Sequence, residues 1–483
     1  MRKADTEEKI KTTRLPLWHY IASYLIIFCG QLFVYLPVLT HRYLVPDDYD
    51  YFMAGVTNSD KFTIQAIGQG RLFNILVAPS FAWIGRIDDM WIIRLIGLLG
   101  IFALAICIFH TFRKYGEKIF LSAIFALLIT IMPAFQECAS WAVLYLAPWG
   151  AVVAYAAFLS IERALMKIKW HRFLWSTIAI FLMVFAYNIH PTSATFIAVF
   201  ITIFFLYKKA ENRFLHTLFF LLISGLGAVA NFTIFKIYLF LLNTQAIART
   251  TLIDDPFEKL SWFITRPFYK SINLIYLPAN IWVAVLVGLT IIVGLTTIFL
   301  HNKQKDILIN FVILTILLLF SYSSNLIIDE NLANYRTLLA LTGVLAVMFF
   351  AAIREIVGLL GKFKNIASYT LFILITISCL LFANISLTEL IIQRTEGGLE
   401  LFRDKLKSFN SDLHNNVIVT YSNNTEKIAF DTQVFFHIPM IESILFENDR
   451  YKTGMKVLVQ PDKSPRQANS FVISAKTLLM HND

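Results

Sequence analysis

Leu72-Phe73-Asn74-Ile75-Leu76-Val77-Ala78-Pro79 opens an apolar segment that runs to residue 87, and whether it crosses a bilayer decides the topology of everything after it. The segment is short, carries Pro79 and meets Asp88-Asp89, whereas a helix needs about 20 apolar residues to cross roughly 30 Å of hydrocarbon. We read it as lying along the membrane surface. Counted as a crossing, it would invert every later loop. The surrounding composition makes the bilayer the relevant solvent: of 483 residues 57% are hydrophobic and 15% charged, and the mean hydropathy is +0.65, outside the range of soluble globules.

Outward from that segment, apolar runs recur at 17–39, 91–112, 119–136, 143–162, 173–187, 193–207, 214–242, 275–300, 307–328, 335–353 and 366–387. In lipid every backbone group must find its partner within the segment, so these runs are expected to be helices. The fold class is therefore mainly α, a polytopic bundle of about eleven spans.

Charge then orients it, because Lys and Arg concentrate in short cytoplasmic loops. With 72–87 on the surface, one side holds the N-terminal Arg2, Lys3, Lys9, Lys11 and Arg14, then Arg113-Lys114 with Lys118, Arg163 to Arg172, Lys208-Lys209 with Arg213, Lys303 with Lys305, and Arg354 to Lys364. The other side holds Asp47-Asp48, Glu137, His190, Asp254-Asp255 and Asp329-Glu330. The expected topology is N-terminus inside and C-terminus outside. The net charge of +10 is thus a topological signal and gives no reason to invoke nucleic acid. No cleavable leader is expected, since the first span is too long for an h-region and lacks a small-residue cleavage site. Cys29, Cys107, Cys138 and Cys379 lie in or beside apolar spans without metal spacing and read as packing residues.

Two units follow: a membrane domain, 1–387, and a polar C-terminal domain, 388–483. The second opens with an amphipathic helix, Glu389 to Phe409, in which Gly397-Gly398 is a candidate break, and continues with strand-like runs at 416–421, 455–459 and 470–474. A small α/β domain on the outer face is expected. Two outer loops are long, about 40–90 and about 243–274, and long connections are disproportionately functional. The second sets Trp262, Phe263, Phe268 and Tyr269 beside Arg249, Lys259, Arg266 and Lys270, which suits either lipid headgroups or a glycan stacking on rings.

The chemistry-bearing candidates cluster on the outer side. In Arg42-Tyr43-Leu44-Val45-Pro46-Asp47-Asp48-Tyr49-Asp50, either carboxylate of the pair can act as general base on a hydroxyl; the bland reading is a solvated turn that starts a helix. In Gly68-Gln69-Gly70-Arg71 the glycines would let backbone N–H groups approach an oxygen-rich ligand, and Arg71 can grip a phosphate; a helix start with a snorkelling Arg is the alternative. His190, in Asn188-Ile189-His190-Pro191-Thr192, can hydrogen-bond a hydroxyl or serve as a turn residue before Pro. Glu137 is an interfacial cap or an acid. Arg336, after Asp329-Glu330-Asn331-Leu332-Ala333-Asn334-Tyr335, stands where a cation can neutralise a leaving phosphate. Lys236 and Arg94 carry the same choice between phosphate contact and snorkelling, and Asp254-Asp255-Pro256 reads as a loop turn.

Tyr43-Leu44-Val45-Pro46-Asp47-Asp48-Tyr49 and Gly68-Gln69-Gly70-Arg71-Leu72, with Tyr335-Arg336 late in the chain, resemble the phage-type serotype-converting O-antigen glucosyltransferases of the GT-C superfamily. The likeness covers most of the membrane region in layout and a few short strings in residues. It implies transfer of glucose from a polyprenyl-phosphate-glucose donor to a lipid-linked O-antigen acceptor at the periplasmic face of a bacterial inner membrane. Asp47 or Asp48 would then be the base and Arg71 a substrate or phosphate ligand. It also implies membrane lipids and donor-synthesising and donor-flipping membrane proteins as partners. No cofactor is expected, since protein cations can stabilise the leaving phosphate, although paired Asp residues leave a divalent metal open. A lipid-linked oligosaccharide flippase and an O-antigen polymerase are the competing readings; the polar residues gather at outer helix ends, without the repeated halves and midplane charges typical of transporters.

Overall fold

The computed structural model describes residues 16–57, 59–208, 212–243, 251–275, 279–301, 307–409, 416–421, 440–446, 456–461 and 470–474. The N-terminal basic cluster, Lys209, Arg249, Lys303, Lys305 and Met455 lie outside the described residues.

The chain is mainly helical. In order come α1 (Leu17–Thr40), α2 (Pro46–Val56), α3 (Lys61–Gly68), α4 (Val77–Ile84), α5 (Trp91–Lys114), α6 (Ile119–Thr130), α7 (Pro133–Ser140), α8 (Ala147–Leu165), α9 (Lys169–Ile189) and α10 (Pro191–Ala194). Then follow α11 (Ile197–Tyr207), α12 (Arg213–Leu241), α13 (Pro256–Phe263), α14 (Tyr269–Ile272), α15 (Ile281–His301), α16 (Ile307–Ser321), α17 (Ser323–Leu326), α18 (Leu339–Gly358), α19 (Lys364–Ile385) and α20 (Gln393–Leu406). Three parallel strands, β1 (Asn416–Tyr421), β2 (Lys456–Pro461) and β3 (Ser470–Ser474), form a sheet in the order β2-β1-β3.

Among the described residues, eight helical stretches are long and apolar enough to cross a membrane, and α6 with α7 makes a ninth if that pair, bent by 59°, is one span. The bend falls at Met132-Pro133, where Pro fits the first turn of a helix but cannot continue the one before it. Two of the eleven expected crossings come out shorter than a full span. The run at 193–207 belongs to a 17-residue stretch from Pro191 broken between α10 and α11, and that at 307–328 contains the 15-residue α16. Segment 72–87 is a 3-10 turn at Leu72–Leu76 followed by α4, short of a crossing as its Pro and length required.

α4 packs on α2, the helix that carries the acidic pair. Gly55 makes this possible: a Cβ there would lie 2.2 Å from the Ala78 carbonyl oxygen. The polar helix after the last span runs straight through Gly397-Gly398, burying Leu399, Phe402 and Leu406. It is tied to the segment between α1 and α5 by His41 Nδ1 and the Arg42 N–H on Glu396, at 2.6 and 2.9 Å, and by Arg403 on Asp88 at 3.0 Å. All four cysteines are free thiols.

Candidate functional site

A cavity of about 330 Å³ opens where the ends of several helices meet, lined by Asp47, Asp50 and Tyr51 of α2, Gln65 of α3, Gln69, Arg71 and Asn74 after it, His190 and Thr192, and Ser324, Asn325, Glu330 and Arg336. The sequence places these groups far apart; the bundle gathers them.

The adjacent aspartates part company. Asp47 and Asp48 stand in the first turn of α2, which has Pro46 at its first position, and neighbours in a helix point about 100° apart. Asp47 faces the cavity, and its Oδ2 accepts a hydrogen bond from Arg336 Nη1 at 2.7 Å. Asp48 is 0% exposed and does not line the cavity. Its Oδ1 accepts from the Val143 N–H at 2.8 Å, and its Oδ2 from the Ala142 and Val45 N–H groups at 3.1 and 3.3 Å. Burial raises its pKa to about 7, against the lowering effect of those N–H groups and of Arg94. Asp48 thus closes the start of α2 and pins it to the turn before α8, leaving the cavity-facing position to Asp47.

Arg336 is held on three sides. Its guanidinium lies 4.2 Å from the centre of the Trp141 ring, its Nη1 meets Asp47, and its backbone N–H donates to Glu137 Oε2 at 3.1 Å. Glu137 thus accepts from the turn that presents Arg336 and is absent from the cavity lining, in keeping with the cap of its two expected roles. The preceding strand of loop is strapped by the second long loop. Lys259 Nζ donates to the Asp329 and Glu330 carbonyls and to Asn331 Oδ1 at 3.2, 2.9 and 2.8 Å, and Lys270 Nζ donates to the Ala333 carbonyl at 3.1 Å. An isolated antiparallel bridge joins Leu252 to Ile328. Phe263, expected at a headgroup or glycan surface, is buried and packs against the Tyr322 ring. Asp255 caps α13 by accepting from the Phe257 and Glu258 N–H groups, the turn role read from its sequence.

The glycine string behaves differently from its expected role. Gly70 takes a left-handed φ of 66°, and the N–H groups of Gln69, Gly70 and Arg71 close the end of α3 by donating to Gln65, Ile67 and Ala66. Those three donors are occupied by a helix terminus, so they form no cradle for a ligand. The side chain of Arg71 remains on the cavity wall. His190 also lines it, 6% exposed, with Nδ1 2.7 Å from Thr192 Oγ1. Burial, reinforced by Arg71 and Arg336, pushes its pKa well below 6.5. That shift favours the neutral imidazole, which is suited to hydrogen bonding.

Two expected phosphate contacts lie elsewhere. Lys236 is on the exposed side of α12, 5.3 Å from the centre of the Phe232 ring, and the cavity does not include it. Arg94 is buried in α5 and donates to the Val38, Tyr43 and His41 carbonyls at 2.9, 2.8 and 3.3 Å; its charge organises the connection between α1 and α2. Sequence reasoning missed Gln65, Gln69, Asn74, Asn325 and Glu330, whose shared wall depends on how the helix ends converge. Among the described residues no group of three or more His, Cys, Asp or Glu side chains converges as a metal site.

No protein-family model and no curated protein matches this chain.

Proposed function

We propose that this protein is a membrane glycosyltransferase that moves a sugar, glucose by the resemblance of its sequence strings, from a polyprenyl-phosphate donor to a hydroxyl of a lipid-linked O-antigen glycan. The observation that carries the reading is the cavity at the end of an apolar bundle where Asp47, hydrogen-bonded to Arg336, shares the lining with Arg71 and His190 and with the further carboxylates Asp50 and Glu330. A lipid phosphate needs cations at the edge of hydrocarbon, and an attacking hydroxyl needs a base within hydrogen-bond reach.

In this mechanism the donor phosphate takes Arg336 from Asp47, which frees the carboxylate to accept the proton of the acceptor hydroxyl. The hydroxyl oxygen forms its bond to the anomeric carbon while the bond from that carbon to the phosphate oxygen breaks. The electron pair leaves with the polyprenyl phosphate, whose growing negative charge Arg71 and Arg336 stabilise. One displacement inverts the anomeric centre. His190 donates or accepts a hydrogen bond without carrying charge.

In the same proposal the basic loops lie in the cytoplasm, the cavity opens to the periplasm of a bacterial inner membrane, and residues from 388 onward form a small α/β domain on that outer side. Counting the bent pair and two of the three shorter apolar helices, Pro191–Tyr207 and Ile307–Ser321, as crossings gives eleven spans.

The test is sugar transfer by purified protein in lipid nanodiscs given polyprenyl-phosphate-glucose and a lipid-linked O-antigen acceptor. Transfer by the wild type that is lost in Asp47→Asn supports the reading. Movement of the intact lipid-linked glycan across a vesicle membrane without transfer would favour the flippase reading, and transfer only from a lipid-diphosphate glycan the polymerase reading.

A further inference from the structure

The charged groups of the cavity account for a phosphate and a base, but one wall carries chemistry of another kind. Asn325 lines the cavity and is only 6% exposed, yet its Nδ2 has no hydrogen-bond partner among the described residues. The Oγ of Ser324, beside it on α17 and also part of the lining, is likewise buried and without a partner. Leaving a buried amide donor unmade costs about 1–3 kcal/mol, and native proteins leave few such groups without a reason. α17 packs on α10, so this wall adjoins the His190–Thr192 pair.

We propose that Ser324 and Asn325 form a glycosyl subsite that binds sugar hydroxyls, with Asn325 its principal contact. The inference rests on the proposed transfer reaction and adds to it which wall of the cavity holds the sugar. Neutral amide and hydroxyl groups donate and accept at once, as a polyol requires, whereas an anion is served by the guanidinium groups of Arg71 and Arg336. In this proposal the ligand sets its phosphate toward the arginines and its sugar toward α17. A site built to bond a hydroxyl discriminates strongly against a ligand that lacks it, because its own buried groups are then left unpaired.

The experiment compares polyprenyl-phosphate-glucose with bare polyprenyl phosphate, binding each to nanodisc-embedded wild type and Asn325→Leu, alongside thermal unfolding of the lipid-free-site proteins. Leu has nearly the shape of Asn and removes the unpartnered donor. The wild type is expected to prefer the sugar-bearing lipid, and Asn325→Leu to lose about three- to tenfold of that preference while its affinity for bare polyprenyl phosphate is unchanged. The unfolding midpoint of the variant should be equal to or above that of the wild type, since no bond of the empty protein is lost. A preference that survives in Asn325→Leu overturns the subsite and leaves the transfer reading standing. A lowered midpoint assigns Asn325 a structural bond and also overturns it. Failure of the wild type to bind either lipid overturns the transfer reading and the subsite with it.

Discussion

Substituting Asn at Asp48 and, separately, at Asp47 perturbs two different properties, and the structure sets the size of each. The Asp48 carboxylate uses both oxygens, one for the Val143 N–H and the other for those of Ala142 and Val45. An amide has one acceptor oxygen. Whichever way it rotates, its NH₂ faces at least one buried N–H, and each donor so stranded costs about 1–3 kcal/mol. With one or two stranded, Asp48→Asn should lose about 2–4 kcal/mol of stability. It should also flatten a pH dependence. Because burial raises the pKa from 3.8 to about 7, the folded protein holds a proton there that the unfolded chain releases. The associated stabilisation is fully present below 3.8 and is lost as pH rises through about 7, a slope that Asn cannot have. Thermal unfolding in nanodiscs across that range reads both effects. A midpoint equal to wild type, or a slope that persists in the variant, would refute the assignment of Asp48 as a buried pin. Asp47→Asn behaves oppositely. Its side chain is 35% exposed and its ion pair with Arg336 shares the cavity mouth, so stability should change by no more than about 1 kcal/mol while transfer falls about 10²- to 10⁴-fold.

Gly55→Ala should destabilise by about 1–3 kcal/mol, because the new methyl meets backbone at Ala78 and no side chain can move aside; unchanged thermal unfolding would show that α2 and α4 shift freely. Lys259→Met removes the charged donor that grips three acceptors at 329–331, so deuterium uptake across 327–336 should rise and transfer fall about tenfold. Uptake equal to wild type there would dismiss the strap. Glu137→Gln retains an acceptor for the Arg336 N–H and should keep most of the activity, whereas Glu137→Leu should lose about 1–3 kcal/mol of local order; equal loss in both would point to a role for the charge itself.

Much of the membrane layout was legible because periodic apolar runs and basic loops report directly on lipid and its edges. The eleven runs all recur as helix, but length alone separates α16 and the α10–α11 stretch from full spans, and a bend such as that after Thr130 depends on where Pro133 begins the next helix. Topology also brought Asp47, Arg71, His190 and Arg336 to one end. It could not distinguish Asp47 from Asp48, whose fates follow from a contact with residues 142–143 almost a hundred positions away. Nor could it show that the Gly70 turn uses its own N–H groups, or that Asn325 would be buried without a partner: both depend on geometry that composition and spacing leave open.

The last apolar helix and the polar one after it form a 46-residue helical stretch from Gly361 to Leu406. At about 1.5 Å per residue it is roughly 70 Å long, more than twice the thickness of the hydrocarbon. Its polar half is fastened by Glu396 to residues 41–42, five to six positions before Asp47, and by Arg403 to Asp88. A π-helical segment at Ser386–Ile392 joins its apolar and polar halves. Bilayer thickness acts on the tilt of a membrane helix, and the contacts of Glu396 and Arg403 tie the polar end of this one to the segment from which α2 begins, so the acyl-chain length of the surrounding lipid is a variable to control when the cavity is assayed.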